Sequence, residues 1–92
     1  MSIIGFNQDS LKRHKISERE CYEALSDECR QEVEYGESKN GNPTIMWLGI
    51  THRGRLLEVG VEYLPGMDWA FHIDDAKAHY RKMYIKKIGR IL

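Results

Sequence analysis

The sequence predicts an α+β fold with two N-terminal helices, an antiparallel sheet of about four strands and a basic C-terminal helix. Three features carry that expectation. Residues 44–64 hold two long strand-like runs that meet at His52-Arg53-Gly54. A capping box begins at Ser17, where Glu20 stands three residues on. From Asp74 or Asp75 onward, apolar side chains change from the two-residue alternation of a strand to the three-and-four spacing of a helix.

The chain of 92 residues is expected to form one domain over 1–92 with a single modest core. Taken in order, Ile3–Phe6 is a candidate short edge strand. Asn7 or Asp9 can then cap a short helix that ends near Lys15. The second helix starts at the Ser17 box, with Ile16 and Cys21 at the two hydrophobic-staple positions. Its inward face is expected to hold Cys21 and Leu25, together with Tyr22 and Cys29, and its outward face Glu18, Arg19, Glu23 and Asp27.

Gln31–Tyr35 alternates as a strand, and residues 36–43 form a loop rich in Gly, Asn and Ser. Thr44–Thr51 is apolar on both faces and is expected to be a central, covered strand. In the returning strand Leu57, Val59, Val61 and Tyr63 share one face, and Glu58, Gly60 and Glu62 share a wetter one. Trp69–Ile73 follows, with Trp69, Phe71 and Ile73 expected on one side and Ala70 and His72 on the other. In the last helix Ala76, Tyr80, Met83, Tyr84, Ile88 and Ile91 form the apolar stripe, and the helices are expected to lie on one face of the sheet.

Charge is balanced overall and uneven locally. Residues 1–38 carry a net −4, residues 39–75 a net −2 and residues 76–92 a net +6. Local sign governs attraction to a polyanion within a Debye length of about 8 Å, so the C-terminal helix is the expected contact for one. Cys21 and Cys29 are eight residues apart, which in one helix means roughly 12 Å, and both are expected to be free thiols. The opening residues lack a basic stretch followed by a long apolar one, and no apolar run reaches membrane-spanning length. No secretory signal and no membrane contact are expected, which leaves the cytoplasm as the default location.

The motifs of nucleotide cradles, zinc hydrolases and serine hydrolases do not occur. His14, His52, His72 and His79 match no compact metal spacing, so neither metal nor cofactor is expected. His72 and Lys77 are the sharper candidates. A histidine that exchanges a proton near neutrality, beside cations such as Lys77 and Arg81, is the minimal equipment for RNA cleavage without a metal. The bland alternative is a half-buried strand histidine beside a solvated basic face. Arg53 and Arg55 flank the turn glycine, His14 sits at a helix end, and Trp47, Trp69 and Tyr84 fit core positions as well as base-stacking ones.

These pieces together resemble a known family. The run from Arg13 to Glu20 is similar to the K-H-G-(V/I)-S-x-x-E segment that opens the second helix of BrnT-like toxins, small members of the RelE-like ribonuclease-toxin group. Leu48–Leu57 is similar to that family's x-G-x-(T/S)-x-x-G-R-x-L hairpin. Phe71-His72, Ala76-Lys77 and Tyr84 resemble its closing strand and basic helix, where I-x-A-R precedes a stretch ending in Tyr.

The resemblance implies a helix–helix–sheet–helix toxin of a type II toxin–antitoxin pair. Such a toxin is a metal-independent endoribonuclease acting on RNA and neutralised by an antitoxin protein. His14 and Arg55 match its motif positions, Lys77 stands where it usually has Arg, and His72 stands where it is usually apolar or serine. The candidate catalytic set is therefore His72, Lys77, Arg55 and Arg81, with His14, Arg53, Lys82 and Tyr84 as candidate binding residues. Two other readings stay open. One is a non-catalytic domain whose basic helix holds nucleic acid or an acidic partner. The other is an oligomerising domain, such as a homodimer, that buries Ile88, Ile91 and Leu92.

Overall fold

The computed structural model describes residues 3–89. In chain order the elements are β1 (Ile4–Phe6), α1 (Gln8–His14), α2 (Glu18–Leu25), β2 (Gln31–Glu37), β3 (Pro43–Ile50), β4 (Leu56–Leu64), β5 (Met67–Asp75) and α3 (Ala78–Ile88). The fold is α+β. Its five strands lie in the order β1-β5-β4-β3-β2.

The sheet is mixed rather than purely antiparallel. β1 pairs parallel with β5, with Gly5 opposite Trp69, and the other three pairings are antiparallel. A parallel pair needs a long connection. Here the connection is everything from α1 to β4, so the edge strand read at Ile3–Phe6 joins the sheet from the far end of the chain.

Local chemistry sets the first two helices. The Asn7 side chain accepts from the backbone N–H groups of Asp9 (3.1 Å) and Ser10 (3.3 Å), which caps α1. At α2 the Ser17 hydroxyl accepts from the Glu20 amide at 3.0 Å, and the Glu20 carboxylate accepts from the Ser17 amide at 3.1 Å. The capping box therefore forms in full. Ile16 and Cys21 are both buried in one cluster, as a hydrophobic staple requires. Burial raises the Cys21 thiol to about 12, so it is an inert core group, while Cys29 is exposed. α2 ends at Leu25, so Cys29 lies beyond it, and Tyr22 points to solvent.

Helices cover both faces of the sheet, not one. Leu11, Ile16, Cys21 and Ala24 pack on Leu57, Val59, Val61, Ala70 and Ile73. On the opposite face Tyr80 and Tyr84 of α3 pack on Leu48 and Leu56, with Ile50 and Ile88 alongside. Leu56 and Leu57 are adjacent in β4, so their side chains leave opposite faces of the pleat. The apolar stripe of α3 is narrower than its spacing suggests, because Met83 is exposed. Ile88 packs inward, and Ile91 and Leu92 lie outside the described residues.

Two departures shape the site. The first is a bulge in β5, where Gly60 faces His72 but Val61 faces Ala70, leaving Phe71 as the extra residue. The expected alternation fails there. Ala70 and Ile73 both enter the α1/α2 core, and Phe71 shares the other face with His72. The second departure is the helix start. β5 continues through Asp75, the Ala76 amide donates to the Leu56 carbonyl at 3.0 Å, and α3 begins only at Ala78 after Lys77 as its cap residue.

Gly49 explains how closely α2 sits on β3. A β-carbon there would land on the backbone carbonyl of Ala24. Gly49→Ala is expected to destabilise by about 2 kcal/mol, since backbone must move to make room. A urea titration checks it, and an unchanged midpoint would contradict the packing.

Candidate functional site

The site is built on one buried carboxylate. Glu58 sits in β4 on the face shared by Leu56 and Gly60, and its side chain is 1% exposed. Three donors converge on it. Its Oε2 lies 2.8 Å from His72 Nε2 and 2.8 Å from Lys77 Nζ, and its Oε1 accepts the Lys77 backbone N–H at 2.9 Å. Burial alone pushes the Glu58 carboxyl up. The hydrogen bonds from the Lys77 side chain, from His72 and from the Lys77 amide outweigh it and hold the group below the ordinary range.

An ionised Glu58 fixes the chemistry of its neighbour. A carboxylate only accepts, so in neutral His72 the ring hydrogen is assigned to Nε2 and the lone pair to Nδ1. His72 is 34% exposed and Lys77 56% exposed, so both reach solvent while sharing a dry anchor. The pairing of Gly60 with His72 and the β5 bulge aim the imidazole toward the start of α3. What results is a histidine held in one tautomer next to a cation.

Glu58 also replaces the acids expected at the helix start. Asp74 and Asp75 do not lie in α3. Asp74 receives His14 Nδ1 at 3.0 Å, and Asp75 holds Arg55. The positive end of α3 meets the Glu58 carboxylate, carried there by another element. Sequence reading missed Glu58 because a strand glutamate on a polar face has no local mark of burial. The available signal was indirect: the Tyr80/Tyr84 stripe must land on some sheet face, and expecting all helices on one face left the Glu58 face uncovered.

The candidate residues separate into groups. His72 and Lys77 come together. Arg81 is exposed one turn beyond Lys77, and Lys82 is exposed beside it. Arg55 belongs elsewhere, because its partner Asp75 pairs with Leu57 on the α1/α2 face. Its guanidinium donates to Asp75 Oδ1 (2.7 Å) and Oδ2 (3.0 Å), to the carbonyls of Lys15 (3.0 Å) and His14 (3.0 Å), and to Glu20 Oε2 (3.4 Å). Those bonds use all the N–H groups an arginine has. Arg55 is a structural clip and does not join His72 at a phosphate.

His14 is engaged through its ring with Asp74 and through its carbonyl with Arg55. Arg53 lies at the exposed turn, on a separate groove of about 540 Å³ that Ser17, Arg19, Glu20, Glu23 and His52 also line. Glu23, expected to face solvent alone, accepts the His52 amide at 3.0 Å. Tyr84 is a core residue rather than a binding one. It is 2% exposed, and its hydroxyl donates to Asp27 Oδ2 at 2.6 Å. Asp27 in turn accepts the Ile50 amide at 3.0 Å, so it bridges α3 and the end of β3 instead of pointing outward.

No helix among the described residues is long and apolar enough to cross a membrane. Comparison of the chain with protein-family models and with curated proteins gives no match.

Proposed function

We propose that the chain is a metal-independent RNA-cleaving protein of the kind its BrnT-like motifs imply, with His72 as general base. The observation that supports this most is the convergence of His72 and Lys77 on the buried Glu58 carboxylate, at the start of a helix whose exposed side chains include Arg81, Lys82, Lys86 and Lys87. In the reaction His72 Nδ1 takes the proton from a ribose 2′-hydroxyl. The 2′-oxygen attacks the adjacent phosphorus, the bond from phosphorus to the 5′-oxygen breaks, and the departing oxygen takes a proton from water. The products are a 2′,3′-cyclic phosphate and a 5′-hydroxyl. Lys77 and Arg81 offset the charge that grows on the phosphorus oxygens. Glu58 acts as a positioning residue that fixes the His72 tautomer.

An antitoxin partner follows from the same reading. The exposed Arg81, Lys82, Lys86 and Lys87 suit an acidic segment of such a protein as well as they suit RNA. The same basic face favours a second reading, a binding domain without turnover, whose mark is salt-sensitive association with intact RNA.

Incubation of purified protein with total RNA in EDTA separates the two. Cleavage leaving cyclic phosphate ends is expected, with the rate falling about a hundredfold in His72→Gln and thermal stability little changed. RNA left whole by the wild-type protein, or cut equally well by the variant, would sink the catalytic reading.

A further inference from the structure

Phe71 has no role in the cluster of Glu58, His72 and Lys77, yet the fold places it on the same face. It is 38% exposed, a large aromatic held at the surface as the extra residue of the β5 bulge. Its ring lies over Gly60. A β-carbon at Gly60 would come within 2.9 Å of Phe71 Cζ and 3.2 Å of Phe71 Cε2, and the same position is 3.2 Å from His72 Cβ. Gly60 thus leaves room for the tip of the ring, and His72 is its neighbour on the same face. The Gly60 backbone is in an ordinary strand conformation with no positive φ. Its missing side chain therefore serves the space above it and not the turn of the chain.

We infer that Phe71 is a stacking platform for a nucleobase next to the phosphate handled by His72, and that the substrate is single-stranded. This rests on the nucleic-acid reading of the His72 face proposed above. A base in a duplex is already stacked above and below and presents no free π-face, whereas a splayed base in a single strand does. The arrangement puts an exposed aromatic beside the proton acceptor His72, and His72 meets the cation Lys77 at Glu58. That is the set needed to hold one base, its ribose hydroxyl and the following phosphate. Stacking tolerates any base, so Phe71 selects strandedness and not sequence.

The test uses the full chain and a short 2′-O-methyl oligoribonucleotide, which cannot be cleaved, alone or annealed to its complement. Binding is read by fluorescence anisotropy of a label on the oligonucleotide. The single strand is expected to bind more tightly than the duplex. Phe71→Leu, which keeps apolar bulk without the π-face, is expected to raise Kd about tenfold, and Phe71→Tyr and Phe71→Trp to stay within about twofold of wild type. Gly60→Ala, which displaces the ring, should resemble Phe71→Leu.

Equal binding of duplex and single strand, wild-type affinity in Phe71→Leu, or no binding by the wild-type chain would each overturn the inference. The outcomes also distinguish it from the catalytic proposal. If His72→Gln abolishes cleavage while Phe71→Leu binds normally, the platform falls and catalysis stands. If binding depends on Phe71 but RNA stays whole, catalysis falls and the platform stands.

Discussion

Arg55→Met is expected to destabilise the protein by about 3 kcal/mol, a large effect for a side chain that reaches solvent. The guanidinium closes five hydrogen bonds at once. It binds the last carbonyls of α1 at His14 and Lys15, the first turn of α2 at Glu20 and the end of β5 at Asp75. Those two carbonyls form the negative end of the α1 dipole, where a cation is favourable. Methionine fills similar space and leaves all of these acceptors unpaired. The side chain is 29% exposed, so part of its ion-pair energy is screened by solvent, and the figure is discounted for that. Lysine is a poor substitute because a single ammonium cannot span acceptors on three elements. Arg55→Lys is expected to recover no more than about 1 kcal/mol of the loss. Urea unfolding followed by circular dichroism measures both, and a methionine variant within experimental error of wild type would remove the clip from the account of the fold.

The same cluster sets an acid limit on stability. The hydrogen bond from Arg55 is the largest influence on Asp75 and holds its carboxyl below the ordinary 3.8 despite burial. The Ser17 amide, followed by the Arg55 charge and hydrogen bond, holds Glu20 below 4.5 against burial. A carboxyl whose folded value is depressed stabilises the fold fully above its unfolded value, and that contribution disappears as pH falls through the folded value. Wild-type stability should therefore decline as the solution is acidified below about pH 4.5. In Arg55→Met the decline should be shallower. Asp75 loses its main partner there, while Glu20 keeps the Ser17 contribution.

The parts of the molecule set by neighbours in sequence were legible without coordinates. The Ser17 box, the Ile16–Cys21 staple and the hairpin about Gly54 each depend on residues within a few positions of one another, and each forms. The residues that went astray answer to partners far along the chain. Asp74 and Asp75 read as helix-starting acids, but the β4 ladder extends to Leu57–Asp75, and His14 and Arg55 claim their side chains. Phe71 and His72 read as opposite faces of a regular strand. Only the register against Gly60 and Val61 reveals the inserted residue that puts them on one face. Arg55 read as a phosphate ligand because an arginine after a turn glycine is indistinguishable, in sequence, from one whose donors are already spent. His72 and Lys77 did come together, but through Glu58, a residue that strand alternation assigns to a wet surface.

Glu58→Ala should cost about 2 kcal/mol, because it leaves the Lys77 backbone amide without its acceptor, while the ammonium and imidazole, which reach solvent, lose a shared partner whose pairing is partly screened. Glu58→Gln should cost less, since its carbonyl oxygen can still accept the Lys77 amide and preserve the docking of α3. The two together separate shape from charge. If Lys77 is removed as well, in Glu58→Ala with Lys77→Ala, the penalty should be smaller than the sum of the single changes, because an ion pair lost whole strands no charge.

The glutamine variant also carries the functional consequence. Its amide can accept from or donate to His72 Nε2, so the tautomer that leaves Nδ1 free is no longer imposed. On the proposed mechanism, cleavage should drop roughly a hundredfold in Glu58→Gln even where the fold survives. Stability should also become less sensitive to acid, because a carboxyl held below 4.5 in the folded state is gone. A glutamine variant that keeps full activity would show that His72 needs no orienting partner, and Glu58 would then be only the anchor that fastens the last helix to the sheet.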